Sequence, residues 1–244
     1  MLHERDVPGA DEGGADRLVL LASPEDGGRS PEPSLVSAIC RESEVPVRVM
    51  VRLNDTFTTT GGEVARLAGL AEDYLSLGAE GLVFGFLDTD LEVDEDVCLH
   101  LLQRFPEAPW TFHRAVDAAL SPERTWRRLK RLPGLDAVHS AGSSRSLSTG
   151  LEELTDRAVS DPEAARLMMA GGGLLGEHVP WLVRAGIRQF HVGSSARPGG
   201  SWSKAYVDPG HVRAWRMLID DAVERAARPQ TLAPLGGAVG GSIA

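Results

Sequence analysis

The sequence predicts an α/β fold of the (β/α)8 TIM-barrel kind whose first βα unit is truncated or degenerate. Three observations carry this expectation. From Arg17 onward, short apolar runs alternate with longer segments of helical period, the pattern of βα units around a parallel sheet. The runs start about 22 to 35 residues apart, a spacing that holds one strand, one helix and two short loops. A chain of 244 residues with 42% hydrophobic composition also has the size and core material of a one-domain barrel.

The elements follow in order. Only about 12 residues precede Gly13-Gly14-Ala15-Asp16, too few for a strand, a loop and a helix of at least about ten residues. Either residues 2–5 form a vestigial first strand without its helix, or the true start lies upstream. Strands are then expected over 17–21, 47–51, 82–86, 110–113, 137–140, 167–170 and 189–192. Helices are expected over 31–41, 62–77, 94–105, 122–132, 150–159, 176–185 and 208–227. Ser30-Pro31 and Ser121-Pro122 each place a capping residue before a proline at the first helical position. Gly78, Gly134 and Gly186 stop the helices before them. Residues 1–228 are expected to form a single barrel domain, and the Gly-, Ala- and Pro-rich stretch 229–244 a disordered tail.

Charge and residue usage exclude several functions. Lys and Arg number 25 against 35 Asp and Glu, a net charge of −10 that disfavours phosphate backbones, so nucleic acid is not an expected partner. No apolar run approaches the roughly 20 residues that span a bilayer. The charged start Met1-Leu2-His3-Glu4-Arg5-Asp6 lacks the apolar core of a signal peptide, which points to a cytoplasmic protein with no membrane partner. Cys40 and Cys98 fall in helical stretches without a Cys-x-x-Cys pair and read as small buried hydrophobes. Lys130 and Lys204, the only lysines, lie on no strand, which excludes a Schiff-base aldolase with a strand lysine. Neither His-x-His nor His-Glu-x-x-His occurs, so the commonest local zinc signatures are absent.

In barrels of this kind the strand C-terminal ends carry the chemistry, and side-chain parity selects the inward residues. In Val47-Arg48-Val49-Met50-Val51-Arg52 the valines suit the helix side, leaving Arg48, Met50 and Arg52 inward. In Trp110-Thr111-Phe112-His113, Thr111 and His113 face the lumen with Arg114 at the rim, and on the last strand His191 and Gly193 do so. Arg52, Arg114, His113 and His191 therefore converge on one mouth that suits a small anionic ligand, unless the arginines pair with loop carboxylates such as Asp117 or Glu25. Gly171, Gly172 and Gly173, with Gly193 and Ser194, occupy the loops that bind phosphate in many such barrels, although three glycines also make a plain tight turn. His113, oriented by Asp117, is the candidate catalytic base. His113, His139 and His191 form a candidate metal set for Zn²⁺ or Cu²⁺ if they meet near the barrel axis, with the parity of His139 open on so short a strand.

The segments Gly78-Ala79-Glu80-Gly81-Leu82-Val83-Phe84-Gly85, Thr111-Phe112-His113-Arg114-Ala115, Met169-Ala170-Gly171-Gly172-Gly173 and Phe190-His191-Val192-Gly193-Ser194 resemble the CutC family of copper homeostasis proteins. Gly14-Ala15-Asp16-Arg17-Leu18 and Gly27-Gly28 with Pro31 look like its second strand and following loop, and the likeness runs in family order from about Gly13 to Asp220. The resemblance implies a (β/α)8 barrel, a cytoplasmic location, homo-oligomerisation and a role in copper handling. Val19 and Leu21 stand where the family often carries glutamate and cysteine, and Leu53 and Asn54 where proline and arginine often follow the strand-three arginine. Copper is the ion the resemblance implies, but the thiolate at position 21 that would select Cu(I) is missing. Besides the metal-handling reading stand an enzyme acting on a small phosphorylated or carboxylated metabolite through an Arg/His anion site, and a scaffold acting through dimer contacts.

Overall fold

The computed structural model describes residues 1–228, so the expected tail over 229–244 lies outside the described residues. Helix α1 (Val7–Gly13) precedes seven strands: β1 (Leu18–Leu20), β2 (Val47–Met50), β3 (Gly81–Phe84), β4 (Trp110–Phe112), β5 (Leu135–Ser140), β6 (Met168–Ala170) and β7 (Gln189–Phe190). They form one parallel sheet in chain order. Parallel neighbours need a crossover. Helices supply it: α2 (Pro33–Glu42), α3 (Gly61–Ser76), α4 (Glu95–Arg104), α5 (Pro122–Leu129), α6 (Leu147–Ser160) with α7 (Pro162–Leu167), and α8 (Val179–Arg184), while α9 (Pro209–Ala227) follows β7. The fold is α/β and TIM-barrel-like. No helix among the described residues is long and apolar enough to cross a membrane.

Strand alternation decides what fills each side of the sheet. Phe84, Trp110 and Phe112 are buried, and the Phe84 and Trp110 rings stack with centroids 4.3 Å apart. On the other face Arg48, only 1% exposed, spans the lumen near the strand N-terminal ends. Its guanidinium donates to Glu80 Oε2 at 2.9 Å, Thr111 Oγ1 at 2.9 Å and both carboxylate oxygens of Asp136 at 2.5 Å. A buried cation survives only when its donors are matched in this way, and the result is a charged floor beneath the sheet's C-terminal mouth.

The N-terminus departs from the expected vestigial strand. Residues 2–5 form no strand; Glu4–Asp6 is a 3-10 turn that leads into α1, and the Asp6 carboxylate accepts the Leu2 and His3 N–H groups. A seven-residue helix is marginal alone, but α1 lies against α9. Glycines permit that approach: a Cβ at Gly13 would lie 2.4 Å from the Val212 Cβ, and one at Gly9 would lie 2.2 Å from the Val207 carbonyl oxygen. Among strands, β1 and β7 end the sheet order and do not pair with each other. Met1 N donates to Val19 O at 2.6 Å and Leu21 N to Met1 O at 3.2 Å, the two bonds of a single parallel bridge. Between the β1 and β7 edges, α1 and α9 roof a cavity of about 700 Å³ lined by apolar side chains such as Phe190, Val212, Trp215 and Ile219.

Two further expectations shift. The helix after β1 begins at Pro33, not Pro31, with Glu32 at the N-cap. Pro31 instead presents its carbonyl to the Tyr74 hydroxyl at 2.5 Å. The expected helix over 176–185 divides into a 3-10 turn, Gly176–His178, and α8.

Candidate functional site

A second cavity, of about 230 Å³, opens at the strand C-terminal ends and is lined by Met50, Arg52, His113, Arg114, His139 and His191, among others. Parity brings these side chains inward from β2, β5 and the ends of β4 and β7. His139, whose direction the sequence leaves open, points inward: it pairs in register with Met169 of β6, which lines the same chamber.

The histidines are held as neutral imidazoles. His113 is 3% exposed, and its Nδ1 accepts the Ala115 N–H at 3.2 Å, which places the ring proton on Nε2. That Nε2 and the Nε2 of His139 are both buried without a hydrogen-bond partner. Burial pushes His113 down to about 3, helped by the Arg52 charge, and pushes His191 down to about 4. Burial also takes His139 well below its ordinary value, with His191 and Arg114 adding to the effect. The His139 and His191 ring centroids lie 4.3 Å apart. Gly171 makes room for them, since a Cβ there would stand 2.5 Å from His139 Nε2 and 2.7 Å from His191 Cβ.

The arginines are engaged elsewhere. Buried Arg52 donates to the carbonyl oxygens of Asp26 at 2.9 Å, Gly28 at 3.1 Å, Asp55 at 2.7 Å and Thr56 at 3.4 Å, tying together the loops after β1 and β2. Its guanidinium lies 4.9 Å from the Phe57 ring centroid, and Phe57 in turn packs on His113 with centroids 5.4 Å apart. Arg114 pairs with Asp117, Nε to Oδ2 at 2.8 Å, and donates to Ser143 O at 2.8 Å. Asp117 does not orient His113: its oxygens accept Ser140 Oγ at 2.6 Å and the Ala141 N–H at 2.9 Å besides Arg114.

The glycine-rich loops serve packing in two places. Gly172, at φ +78°, lets the Arg114 guanidinium approach, with a Cβ there standing 2.9 Å from Arg114 Cζ. Gly173 also lies at positive φ, and Gly172 O accepts the Leu147 N–H at 2.9 Å. Gly193 lines the cavity between β1 and β7 instead of the chamber, and Ser194 opens a 3-10 turn, Ser194–Ala196.

No group of three or more His, Cys, Asp or Glu side chains that could hold a metal ion occurs among the described residues, so the His113, His139 and His191 trio does not close as a three-ligand set. His113 and His191 come from strands β4 and β7, three apart in the sheet, which keeps their rings on different walls. Cys40 and Cys98 are free thiols on α2 and α4, and burial pushes Cys98 up to about 12. Beside the imidazoles stand two thioethers that His and Cys spacing does not reveal: Met50 and Met169 line the chamber, and alternation along β6 places Met169 inward as it does His139 on β5.

A parallel sheet in chain order, helices on its outside and a histidine-lined chamber at its C-terminal mouth define a TIM-barrel-like α/β protein. The chain belongs to the CutC family, whose profile matches residues 3–196. It is 30% identical over 194 residues to a CutC family protein of Klebsiella pneumoniae (strain 342), covering 79% of this chain and 75% of that one. To the human copper homeostasis protein CutC homolog it is 30% identical over 197 residues, 78% and 70% of the two chains. The solved structure of CutC from Streptococcus agalactiae superposes with a TM-score of 0.68 at 20% identity, over 78% of this chain and 94% of that one. A monomeric dihydrodipicolinate synthase variant gives 0.60 at 16% identity, over 91% and 70%, a likeness of fold alone.

Proposed function

We propose that this chain handles copper as cargo, in the manner named for its human relative, and that the chamber at the strand ends is where the ion sits. The observation that carries this reading is the buried imidazole Nε2 of His139, which no protein group engages; the buried His113 Nε2 carries the ring proton and is a donor, not a ligand. A buried polar atom left unpaired costs about 1–3 kcal/mol, and a bound ion relieves that cost. The residues present fit the ion: His139 and His191, held neutral by burial, need lose no proton to become ligands, and two thioethers stand in the same chamber. Of His113, His139 and His191, the last two are the imidazoles on offer, because His113 has Nδ1 engaged by the Ala115 N–H and its proton on Nε2.

The enzyme reading keeps one specific support. Arg114 reaches the chamber mouth beside Gly172, and Ser144 lines the same wall, so a carboxylate or phosphate has a partner there. In that reading Arg114, with Gly171, Gly172 and Gly173 beside it, serves the anion and His113 stands near the reacting atoms, whereas Gly193 lines the other cavity and Asp117 is held by Arg114, Ser140 and Ala141. Arg52 contributes least, because backbone carbonyls take four of its donors.

We propose also that the sheet is an eight-position barrel whose first position is held by Met1 alone, a view supported by the single parallel bridge to β1. A cytoplasmic location and self-association belong to the same proposal; Trp181, 58% exposed, and Met217, 66% exposed, offer apolar surface for the latter.

Titration of chelator-stripped protein with copper against a competing chelator tests the copper reading, and a thermal melt in millimolar phosphate tests the enzyme reading. Tight copper binding with a phosphate-independent melt is the expected result. The reverse pattern favours the enzyme.

A further inference from the structure

Resting on the copper reading, we infer that the chamber takes the ion as Cu(I), held by the imidazoles of His139 and His191 and the thioether of Met169. Four features point to this donor set. His139 and Met169 are direct partners across β5 and β6, and both face the chamber. His191, on the far side of β6, brings its ring centroid to 4.3 Å from that of His139. The His139 Nε2 is buried and unpartnered, and a glycine at 171 is what lets both rings sit there, since a Cβ would fall 2.5 Å from that Nε2 and 2.7 Å from the His191 Cβ. The three donors thus come from adjacent strands, His139 and Met169 in register and His191 two residues beyond Gln189, the β7 partner of Met169.

The chemistry of the set selects the oxidation state. Imidazole and thioether are neutral ligands, and thioether is a soft one that favours Cu(I). Asp117, the buried carboxylate nearest in sequence to the chamber wall, spends its oxygens on Arg114, Ser140 and Ala141, and Asp26 at the rim pairs with Arg29. Arg52, whose partners are neutral carbonyls, adds positive charge at the chamber wall. A divalent ion would enter this surround without a compensating anion, whereas a monovalent soft ion meets half the repulsion. Cu(I) is content with two or three ligands, so the set needs no further His, Cys, Asp or Glu.

The test loads full-length, chelator-stripped protein with Cu(I) under anaerobic reducing conditions and compares wild type with Met169→Leu and His139→Gln. Competition with a Cu(I) chelator should show each variant weakened tenfold or more, while Cu(II) binding is weaker than Cu(I) in wild type and unchanged by Met169→Leu. X-ray absorption should show sulfur beside nitrogen in wild type and nitrogen alone in Met169→Leu. Should either variant fail to fold by circular dichroism, the Met169 methyl resonance of wild type, titrated with the redox-inert probe Ag(I), gives the same answer by shifting or staying fixed. Tight Cu(I) binding that ignores both substitutions, or an unshifted Met169 methyl, overturns the donor set and leaves copper handling in place. Tighter Cu(II) than Cu(I) overturns the choice of oxidation state. Failure of wild type to bind copper in either state overturns both this inference and the reading beneath it.

Discussion

Arg197 and Asp6, 191 residues apart in sequence, form a buried ion pair with Nη2 to Oδ2 at 2.5 Å. Arg197 also donates to Ala205 O, and Asp6 also accepts the Leu2, His3 and Val207 N–H groups. The pair therefore latches the N-terminal turn to the segment between β7 and α9, over the seam where β1 and β7 fail to meet.

Breaking that latch should be costly. Burial alone would raise Asp6, but Arg197 and the backbone amides hold its carboxyl below 3.8. Removing one partner strands the other charge, so Arg197→Ala or Asp6→Asn should lose about 3–5 kcal/mol in urea unfolding. Because the folded value is depressed, the carboxylate's contribution is present above the unfolded value and is lost as pH falls through the folded one. Asp6→Asn should flatten the acid limb of stability below about pH 4; an unchanged limb would assign acid unfolding to other carboxylates.

His113 titrates in the opposite charge sense. Its folded value of about 3 lies below the ordinary 6.5, so between these limits the unfolded chain binds a proton that the folded chain refuses. Stability should therefore fall as pH drops from 6.5, by up to about 1.4 kcal/mol per pH unit from this one residue. His113→Gln should reduce the slope of unfolding free energy against pH between 4.5 and 6 by about that amount, and NMR should find the wild-type ring neutral throughout that interval.

Arg52→Ala should loosen the loops after β1 and β2 even where no anion is present. Its guanidinium gathers four carbonyls, so we expect a loss of about 1–3 kcal/mol and faster amide exchange near Gly28 and Thr56. Arg52→Lys should not rescue it, since a single ammonium lacks the planar fork that reaches both loops. Full rescue by lysine would reduce Arg52 to a point charge.

Gly171→Ala should disturb the chamber directly. The added methyl would meet His139 and His191 inside ordinary contact distance, with a strain of about 1–3 kcal/mol. Shifted His139 and His191 resonances together with a lowered melting temperature are expected. Wild-type values for both would show that the rings move aside freely.

The sequence by itself determined the alternation of strands and helices, the inward set of Met50, His113 and His191, and the family, because two-residue and 3.6-residue periodicities and motif order are local properties. Tertiary structure alone decided what each inward group touches. Two of the four carbonyls that occupy Arg52, those of Asp26 and Gly28, belong to a loop turned by Gly27 and Gly28 at positive φ, and Asp117 engages Ser140 and Ala141 at the end of β5. His139 gained its direction from pairing with Met169 in a neighbouring strand. The short α1 exists because Gly9 and Gly13 let it settle on the chain around α9, a contact that no length rule for isolated helices contains. Hydrogen-bond partners are set by which loops meet across the fold, and a single chain read in order holds only the residues that could meet, not the meetings themselves.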